Sequence, residues 1–178
     1  MGPMSSLRVL TVCTGNVCRS PAAAVMLRQE MIDAGLSGDV EVGSAGTSWE
    51  AEGMPMDDRT ELALVRAGYE RPFEHTARTI HLTELLAWDL VLGMTAEHVQ
   101  RLRRMAEQAP DGDSGPEIAL WRRFDPEIAA SALETEIAVD DPWYEGQGAF
   151  DRTIVQMQRS LPAILAHVQE SLDQRRGR

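Results

Sequence analysis

Short runs of apolar residues alternate along this chain with segments in which apolar residues recur every three or four positions. Apolar runs are typical of strands covered on both faces, and the wider spacing is typical of amphipathic helices. The runs predict four strands, at residues 7–12, 40–45, 89–93 and 118–121. The wider spacing predicts helices at residues 21–34, 58–67, 96–107 and 150–172. This alternation predicts an α/β fold, a doubly wound parallel sheet of four strands with helices on both faces.

The length of the chain, 178 residues, indicates one domain of ordinary size. We expect this domain to span residues 7–172 and to be followed by a flexible tail at 173–178. Gly2 and Pro3 precede Met4 and resemble the remnant of a removed tag. Residues 1–6 are therefore expected to lie outside the fold.

The net charge and the cysteine content restrict the setting in which this chain works. A formal net charge of −11 argues against nucleic acid and anionic membrane surfaces as partners. No apolar stretch is long enough for a transmembrane helix, and the pattern of an N-terminal secretion signal is missing. The two cysteines, Cys13 and Cys18, lie on one segment and cannot staple a fold. A reducing, cytoplasmic location is therefore predicted, with secretion without a signal left open.

The segment that joins the first predicted strand to the first predicted helix carries the candidate chemistry, with the sequence CTGNVCRS at residues 13–20. A strand that turns sharply into a helix points backbone N–H groups into a concavity that favours an oxyanion. Cys13, at the base of that concavity, is expected to form a thiolate nucleophile readily. Arg19 can hold two phosphate oxygens, and the Ser20 hydroxyl can donate to the sulfur. The residues predicted to bind phosphate are Thr14, Gly15, Asn16, Val17, Cys18, Arg19 and Ser20.

A more ordinary explanation is that Cys13 only packs in the core, as a cysteine at a strand end usually does. The spacing Cys-x5-Arg also occurs by chance. The surrounding residues favour chemistry, because Gly15 and Asn16 suit a tight loop and Pro21 suits the first turn of a helix. A cysteine that only packs needs none of them. The segment therefore predicts a covalent phosphatase site.

Four stretches of the chain resemble the low-molecular-weight protein tyrosine phosphatases, and the bacterial members in particular. They are VCTGNVCRSP at 12–21, SAGT at 44–47, DLVLGM at 89–94 and DDPWY at 140–144. With their order and separations they cover about residues 7–172. The resemblance implies the fold predicted above, with a phosphate-binding loop after the first strand. It also implies a phosphocysteine intermediate on Cys13, a phosphate clamp at Arg19, and no metal or cofactor.

A phosphate monoester also needs a group that protonates the departing oxygen and later activates water, and one carboxylic acid can do both in turn. Asp141 is the candidate, because Pro142 stiffens the backbone that carries it. The neighbouring Asp140 is a rival, and chemistry alone leaves both open. The resemblance assigns the role to Asp141, the residue directly before the proline.

Val17 and three aromatic residues are expected to contact substrate. In the family that the chain resembles, a threonine at the position of Val17 accompanies phosphoarginine specificity, and a branched aliphatic residue accompanies phosphotyrosine. Valine cannot offer a guanidinium a hydrogen bond, which favours phosphotyrosine. Trp49, Trp143 and Tyr144 lie on predicted loops, where aromatic walls suit a planar ring. Part of Trp143 is expected to pack beneath its loop, and Trp49 stands one position from the usual tryptophan of the family.

Three residues are expected to support the phosphate-binding loop. By the resemblance, Asn16 braces the loop, and Ser44 and His75 belong to the hydrogen-bond network around it. An equally ordinary role for His75 is that of a half-buried structural histidine. Thr95 follows Met94 where the family usually has aspartate, and the sequence does not indicate what this exchange does to the loop.

Three other functions stay open at this point: a protein arginine phosphatase, an arsenate reductase, and a phosphate-binding module without activity. Arsenate reduction on related folds uses further cysteines downstream, and none follows Cys18 in this chain. An inactive module would be expected to lack one of Cys13, Arg19 and Asp141. We therefore predict a protein tyrosine phosphatase that acts on phosphotyrosine-containing proteins and releases inorganic phosphate.

Cys18 suggests a second, protective chemistry. A reactive thiolate oxidises first to sulfenic acid and then irreversibly, and a nearby thiol can trap the first stage as a disulfide. A Cys13–Cys18 disulfide would make inactivation by peroxide reversible. The alternative, that Cys18 is a small residue suited to the start of a helix, is compatible with this role.

Overall fold

The computed structural model describes residues 5–177, and Gly2 and Pro3 lie outside this range. The strands are β1 (Leu7–Cys13), β2 (Val40–Gly46), β3 (Leu90–Gly93) and β4 (Glu117–Leu120). The helices are α1 (Arg19–Asp33), α2 (Asp58–Arg66), α3 (Leu82–Leu85), α4 (Ala96–Ala106), α5 (Gln147–Gln158) and α6 (Leu161–Arg176), with short 3-10 turns at Trp121–Phe124 and Glu134–Glu136. All strand pairs are parallel, in the order β2-β1-β3-β4. The predicted four-stranded parallel sheet is confirmed.

Both faces of the sheet are covered, because alternate residues of β1 enter different parts of the core. Leu7 and Val9 pack in the larger cluster, which also contains buried residues of α1, α2, α5 and α6. Leu10 and Val12 pack in a second cluster with Leu102 of α4. Successive side chains of a strand point to opposite faces, so this division places helices on both sides, as predicted.

The carboxyl ends of the central strands meet at one edge of the sheet. Cys13, the last residue of β1, pairs with Gly46, the last residue of β2, and Val12 pairs with Gly93 at the end of β3. In an open α/β sheet, ligands bind beyond this edge. The segments that follow these three strands are therefore the ones that can build a site together.

The predicted helix at 150–172 is wrong as a single element, because the chain forms α5 and α6 with a break at residues 159–160. Pro162 lies in the first turn of α6. Inside a continuous helix its ring would clash with the carbonyl four residues earlier, at Gln158, which is where α5 ends. The sequence pattern missed this because the apolar spacing continues across the break. Among the helices in the described part of the chain, none is both long and apolar enough to cross a membrane.

The predicted flexible tail at 173–178 differs from the structure, in which α6 continues to Arg176. Two ion pairs hold its last turn against the sheet edge: Arg175 with Asp89, and Arg176 with Asp39 at 3.2 Å. Basic residues in the last turn also interact favourably with the helix dipole. These partners are distant in sequence, so the tail alone gave no sign of them.

Candidate active site

The loop from Cys13 to Ser20 makes its tight turn at Asn16. Asn16 has a φ of +59°, and among residues 5–177 it is the one non-glycine residue with positive φ. The sequence suggested that Gly15 and Asn16 share the turn, but only Asn16 adopts this left-handed conformation. Helix α1 then begins at Arg19 with no side chain capping it, so N–H groups of its first turn are left for an anion.

Cys13 lies at the base of this loop, buried at the end of β1. The Ser20 hydroxyl oxygen is 3.0 Å from its sulfur, and the Asn16 side-chain amide donates to that same oxygen at 2.9 Å. The Ser20 hydroxyl also lies 3.4 Å from the Ala45 carbonyl, which can accept its hydrogen while the sulfur is protonated. Once the sulfur is ionised, the same hydroxyl can donate to it instead.

Asn16 is held from several distant parts of the chain. Its amide donates to Ser44 at 3.0 Å, its side-chain oxygen accepts from the Arg78 N–H at 3.0 Å, and His75 Nε2 donates to its carbonyl at 2.6 Å. Burial lowers the pKa of His75, so the neutral ring makes this bond. Ser44 and His75 thus both contact Asn16.

Gly46 allows β2 to approach the loop closely. A Cβ atom at Gly46 would lie 2.6 Å from the carbonyl oxygen of Thr14 and 3.2 Å from Asn16 Cβ. The two residues that follow donate to the loop: the Thr47 N–H to the Cys13 carbonyl and the Ser48 N–H to the Thr14 carbonyl, both at 3.0 Å. The conformation of the loop is therefore set by the strand end beside it.

Arg19 connects the loop to Asp141, which is far away in sequence. The guanidinium is only 5% exposed, donates to the Val139 carbonyl at 2.9 Å, and lies 3.4 Å from a carboxylate oxygen of Asp141. The Asp141 side chain is about half exposed, and its other oxygen accepts the Trp143 N–H at 3.1 Å. Cys13, Arg19 and Asp141 therefore converge at one site, whereas Asp140 is exposed beside it.

The aromatic residues named from the sequence are exposed on segments that border the loop. Tyr144 is 95% exposed, Trp49 73% and Trp143 42%. Trp49 follows Ser48, which is bonded to the loop, and Trp143 follows the Asp141–Pro142 pair. Trp143 is the least exposed of the three, and the Arg59 guanidinium lies over its ring, 5.2 Å from the ring centre.

The sequence did not indicate that His98 supports the loop. Thr95 is the N-cap of α4, and its side chain and backbone N–H both contact His98 Nδ1, at 3.1 and 3.2 Å. Burial lowers the pKa of His98 to about 4, so the ring is neutral at pH 7. With Nδ1 accepting from the Thr95 N–H, the proton is on Nε2, which donates to the Thr14 hydroxyl at 2.8 Å.

Thr95 therefore caps α4 in place of the aspartate that the family usually has. A Thr-x-x-Glu pattern would have been visible in the sequence as a capping box, but here histidine takes the place of glutamate. A second residue missed was Arg59, which contacts the segment that carries Asp141.

The two cysteines are both free and buried. Burial raises the pKa of the Cys18 thiol to about 12. Cys18 is consequently protonated at neutral pH and is not a competing nucleophile. Within residues 5–177, no group of three or more His, Cys, Asp and Glu side chains is placed to hold a metal ion.

Comparison with known proteins identifies the family of this chain. A family model described as "Low molecular weight phosphotyrosine protein phosphatase" matches residues 8–174. A "Low molecular weight protein-tyrosine-phosphatase" of Streptomyces coelicolor is 37% identical over 94% of this chain and 97% of that protein. The crystal structure of YfkJ from Bacillus subtilis is 29% identical, with a TM-score of 0.78 over 96% of this chain and 99% of its own. That of DARP, a drosophila arginine phosphatase, is 25% identical, with a TM-score of 0.78 over 90% of this chain and 97% of its own. The chain belongs to the low molecular weight phosphotyrosine protein phosphatase family.

Proposed function

We propose that this protein hydrolyses phosphotyrosine in proteins through a phosphocysteine intermediate. One observation carries the proposal: the buried sulfur of Cys13, paired with the Ser20 hydroxyl, shares a site with Arg19 and the half-exposed carboxylate of Asp141. A nucleophile, a phosphate clamp and a proton donor are the three groups that this reaction needs.

In the first step the Cys13 thiolate attacks phosphorus, so that a sulfur–phosphorus bond forms while the bond from phosphorus to the tyrosine oxygen breaks. Arg19 and the backbone N–H groups of residues 14–19 hold the equatorial oxygens, where charge spreads in the transition state. Asp141, protonated in the substrate complex, gives its proton to the departing tyrosine oxygen. The products of this step are phosphocysteine and the substrate protein with its tyrosine hydroxyl restored.

In the second step the same carboxyl group works in reverse. Ionised Asp141 takes a proton from a water molecule, whose oxygen attacks phosphorus and displaces the Cys13 thiolate. Inorganic phosphate leaves and Asp141 is again protonated. No metal takes part in this scheme, and treatment with a chelator is expected to leave turnover unchanged.

Phosphotyrosine is the favoured substrate because Val17 has no hydroxyl to bind a guanidinium, and because Trp143 and Tyr144 offer exposed rings beside the loop. Phosphoarginine is the second candidate, since DARP, the drosophila arginine phosphatase, has a similar fold. The net charge of −11 favours protein substrates over nucleic acids or anionic membranes. A catalytic thiol that must stay reduced suits a cytoplasmic location.

Kinetics on matched phosphopeptides test this proposal. One peptide sequence carrying phosphotyrosine, phosphoserine or phosphoarginine at the same position is compared by kcat/KM for phosphate release. We expect phosphotyrosine to be preferred by about 10²-fold or more, because the exposed aromatic rings favour a planar ring and Val17 offers a guanidinium no hydrogen bond. Preference for phosphoarginine would replace the substrate assignment, and no release from any of the three would overturn the proposed function.

A further inference from the structure

The segment at residues 139–146, which we call the acid loop, carries Asp141 and is exposed along most of its length. It is tied to the sheet at its start, where the Val139 N–H donates to the Met94 carbonyl at 2.8 Å. Asp141 itself is joined to the phosphate-binding loop through Arg19, at 3.4 Å. Among the described residues, no other side chain of that loop pairs with Asp141. The proposed reaction removes this contact at the moment when Asp141 is needed.

Two changes weaken the pair between Arg19 and Asp141 in the substrate complex. The phosphoryl group occupies the Arg19 guanidinium, which prefers a doubly charged anion to a single carboxylate. Asp141 must also be protonated to act as an acid, and a neutral carboxyl loses the charge attraction to arginine. Another group has to keep the acid loop in place during the reaction.

Arg59 has the required contacts. From the first turn of α2, its guanidinium donates to the main-chain carbonyls of Trp143 at 3.1 Å and Glu145 at 3.3 Å. The same group lies 4.3 Å from the centre of the Phe150 ring, and the carbonyl of Arg59 accepts the Gln147 side-chain amide at 2.8 Å. Main-chain carbonyls do not titrate, so these bonds persist whatever the protonation state of Asp141.

Arg59 is itself fixed against the phosphate-binding loop. The Asp57 carboxylate accepts hydrogen bonds from Arg59 Nε and Nη2, both at 3.0 Å. The Asp57 N–H in turn donates to the Val17 carbonyl at 2.9 Å. Burial alone would raise the pKa of Asp57, but the hydrogen bonds from Arg59 outweigh it and hold that pKa below its usual value. The chain of contacts therefore runs from Val17 through Asp57 and Arg59 to the acid loop.

We propose that Arg59 is a positioning residue, which holds the acid loop over the phosphate-binding loop so that Asp141 can protonate the leaving group. This inference rests on the proposed function, because it assigns Arg59 a role only through Asp141. Misplacing a catalytic group by an ångström can slow a reaction substantially even though the group itself is unchanged.

The test compares Arg59→Met with wild type by kcat/KM on phenyl phosphate and 4-nitrophenyl phosphate. Phenolate is the poorer leaving group and needs the proton of Asp141 most. We expect Arg59→Met to lose about 10-fold on phenyl phosphate and only about 2-fold on 4-nitrophenyl phosphate, with inhibition by vanadate unchanged. Arg66→Met is the matched control, because Arg66 also joins α2 to α5, through Asp151 at 2.7 Å, without touching the acid loop.

A double variant separates positioning from a general effect on the fold. If Arg59 acts through Asp141, adding Arg59→Met to Asp141→Ala should cost almost nothing further. Should Arg59→Met fold poorly, as judged by thermal unfolding, Arg59→Lys serves instead, since lysine keeps the charge but cannot bind Asp57 and two carbonyls together.

Equal slowing of the two esters by the Arg59 variant, or an additive loss in the double variant, would show that Arg59 is only structural. A leaving-group effect in Asp141→Ala without one in the Arg59 variant overturns the positioning role and leaves the phosphatase mechanism intact. If wild-type protein hydrolyses neither ester, the proposed function fails, and the role of Arg59 fails with it.

Discussion

The phosphate-binding loop and the acid loop meet at one site but are built in opposite ways. In the first, Cys13, Asn16, Arg19 and Ser20 are all buried. Cys13, Asn16 and Ser20 are bonded to one another, and Arg19 pairs with Asp141. In the second, the acid loop at residues 139–146, Asp141 is about half exposed. A loop that stabilises transition-state charge has to be rigid and shielded from water, because preorganised hydrogen-bond donors act most strongly in such a site. The Asp141 carboxyl exchanges protons with water and has to reach the solvent. Its position is therefore fixed through the backbone of the acid loop and not by burial of the side chain.

Replacing the nucleophile gives the largest effect that this comparison predicts. Cys13→Ser is expected to abolish turnover, because a serine hydroxyl at this position is not ionised as the thiolate is. Affinity for inorganic phosphate should stay measurable, within about 10-fold of wild type, since the donors of the loop remain in place. Activity is measured on 4-nitrophenyl phosphate, and phosphate binding by calorimetry. Residual turnover near the wild-type rate would mean that the sulfur is not the nucleophile.

Replacing the acid tests the other side of the comparison. Asp141→Ala should lower kcat/KM on phenyl phosphate by about 10²- to 10³-fold and affect 4-nitrophenyl phosphate less, because general acid catalysis matters most for poor leaving groups. Vanadate inhibition should change little, as Asp141 does not belong to the phosphate-binding loop.

Asp140→Ala is the matched control for this experiment, since it removes the neighbouring carboxylate without touching the pair with Arg19. We expect about wild-type activity from it on both esters. If Asp140→Ala showed the leaving-group effect and Asp141→Ala did not, the acid would be the other aspartate.

The difference between the two loops also explains how much of the site could be predicted from the sequence. The phosphate-binding loop is continuous, so Cys13, Asn16, Arg19 and Ser20 could all be named from one stretch, and the resemblance added Ser44 and His75. The structure joins Ser20, Ser44 and His75 to Asn16 by hydrogen bonds. The acid loop depends on Arg59, whose contacts with Trp143 and Glu145 span more than eighty positions in sequence. A single sequence carries no local signal for such a contact.

The fold shows the same division between local and distant causes. The strands of the sheet were predictable because apolar runs mark them directly, and their parallel orientation follows from the alternation with helices. The break between α5 and α6 has a local cause in Pro162, which the apolar spacing obscured. The helical end of the chain depends on Asp39 and Asp89, which are distant in sequence and close only after folding.

His98 offers a smaller test, directed at the outer edge of the phosphate-binding loop. Burial lowers its pKa from 6.5 to about 4, so the unfolded chain takes up this proton at a higher pH than the folded chain. The folded state is therefore favoured above pH 6.5 and loses stability as the pH falls toward 4. Relative to His98→Gln, wild type should lose roughly 2 kcal/mol of unfolding free energy between pH 7 and pH 5.

Urea unfolding of both proteins at the two pH values measures this difference. The matched control is His81→Gln, which removes an exposed histidine and leaves the bond from His98 to Thr14 intact. Parallel loss of stability in wild type and His98→Gln would contradict the neutral, buried state of the ring and its bond to the Thr14 hydroxyl.

The smallest effect on turnover is expected from Cys18→Ser, and its consequence appears only after oxidation. Peroxide converts the Cys13 thiolate to sulfenic acid, and the Cys18 thiol can then attack it, so that a sulfur–sulfur bond forms and water leaves. Because burial raises the pKa of Cys18 to about 12, its attacking thiolate becomes roughly tenfold more abundant with each pH unit from 7 to 9. Wild type exposed to peroxide at pH 9 should therefore regain activity more completely than after exposure at pH 7, when both samples are then reduced by dithiothreitol at one fixed pH. Cys18→Ser should recover less at either pH, since its sulfenic acid is open to further oxidation. Recovery of that variant as full as wild type would leave Cys18 only the role of a small buried residue before α1.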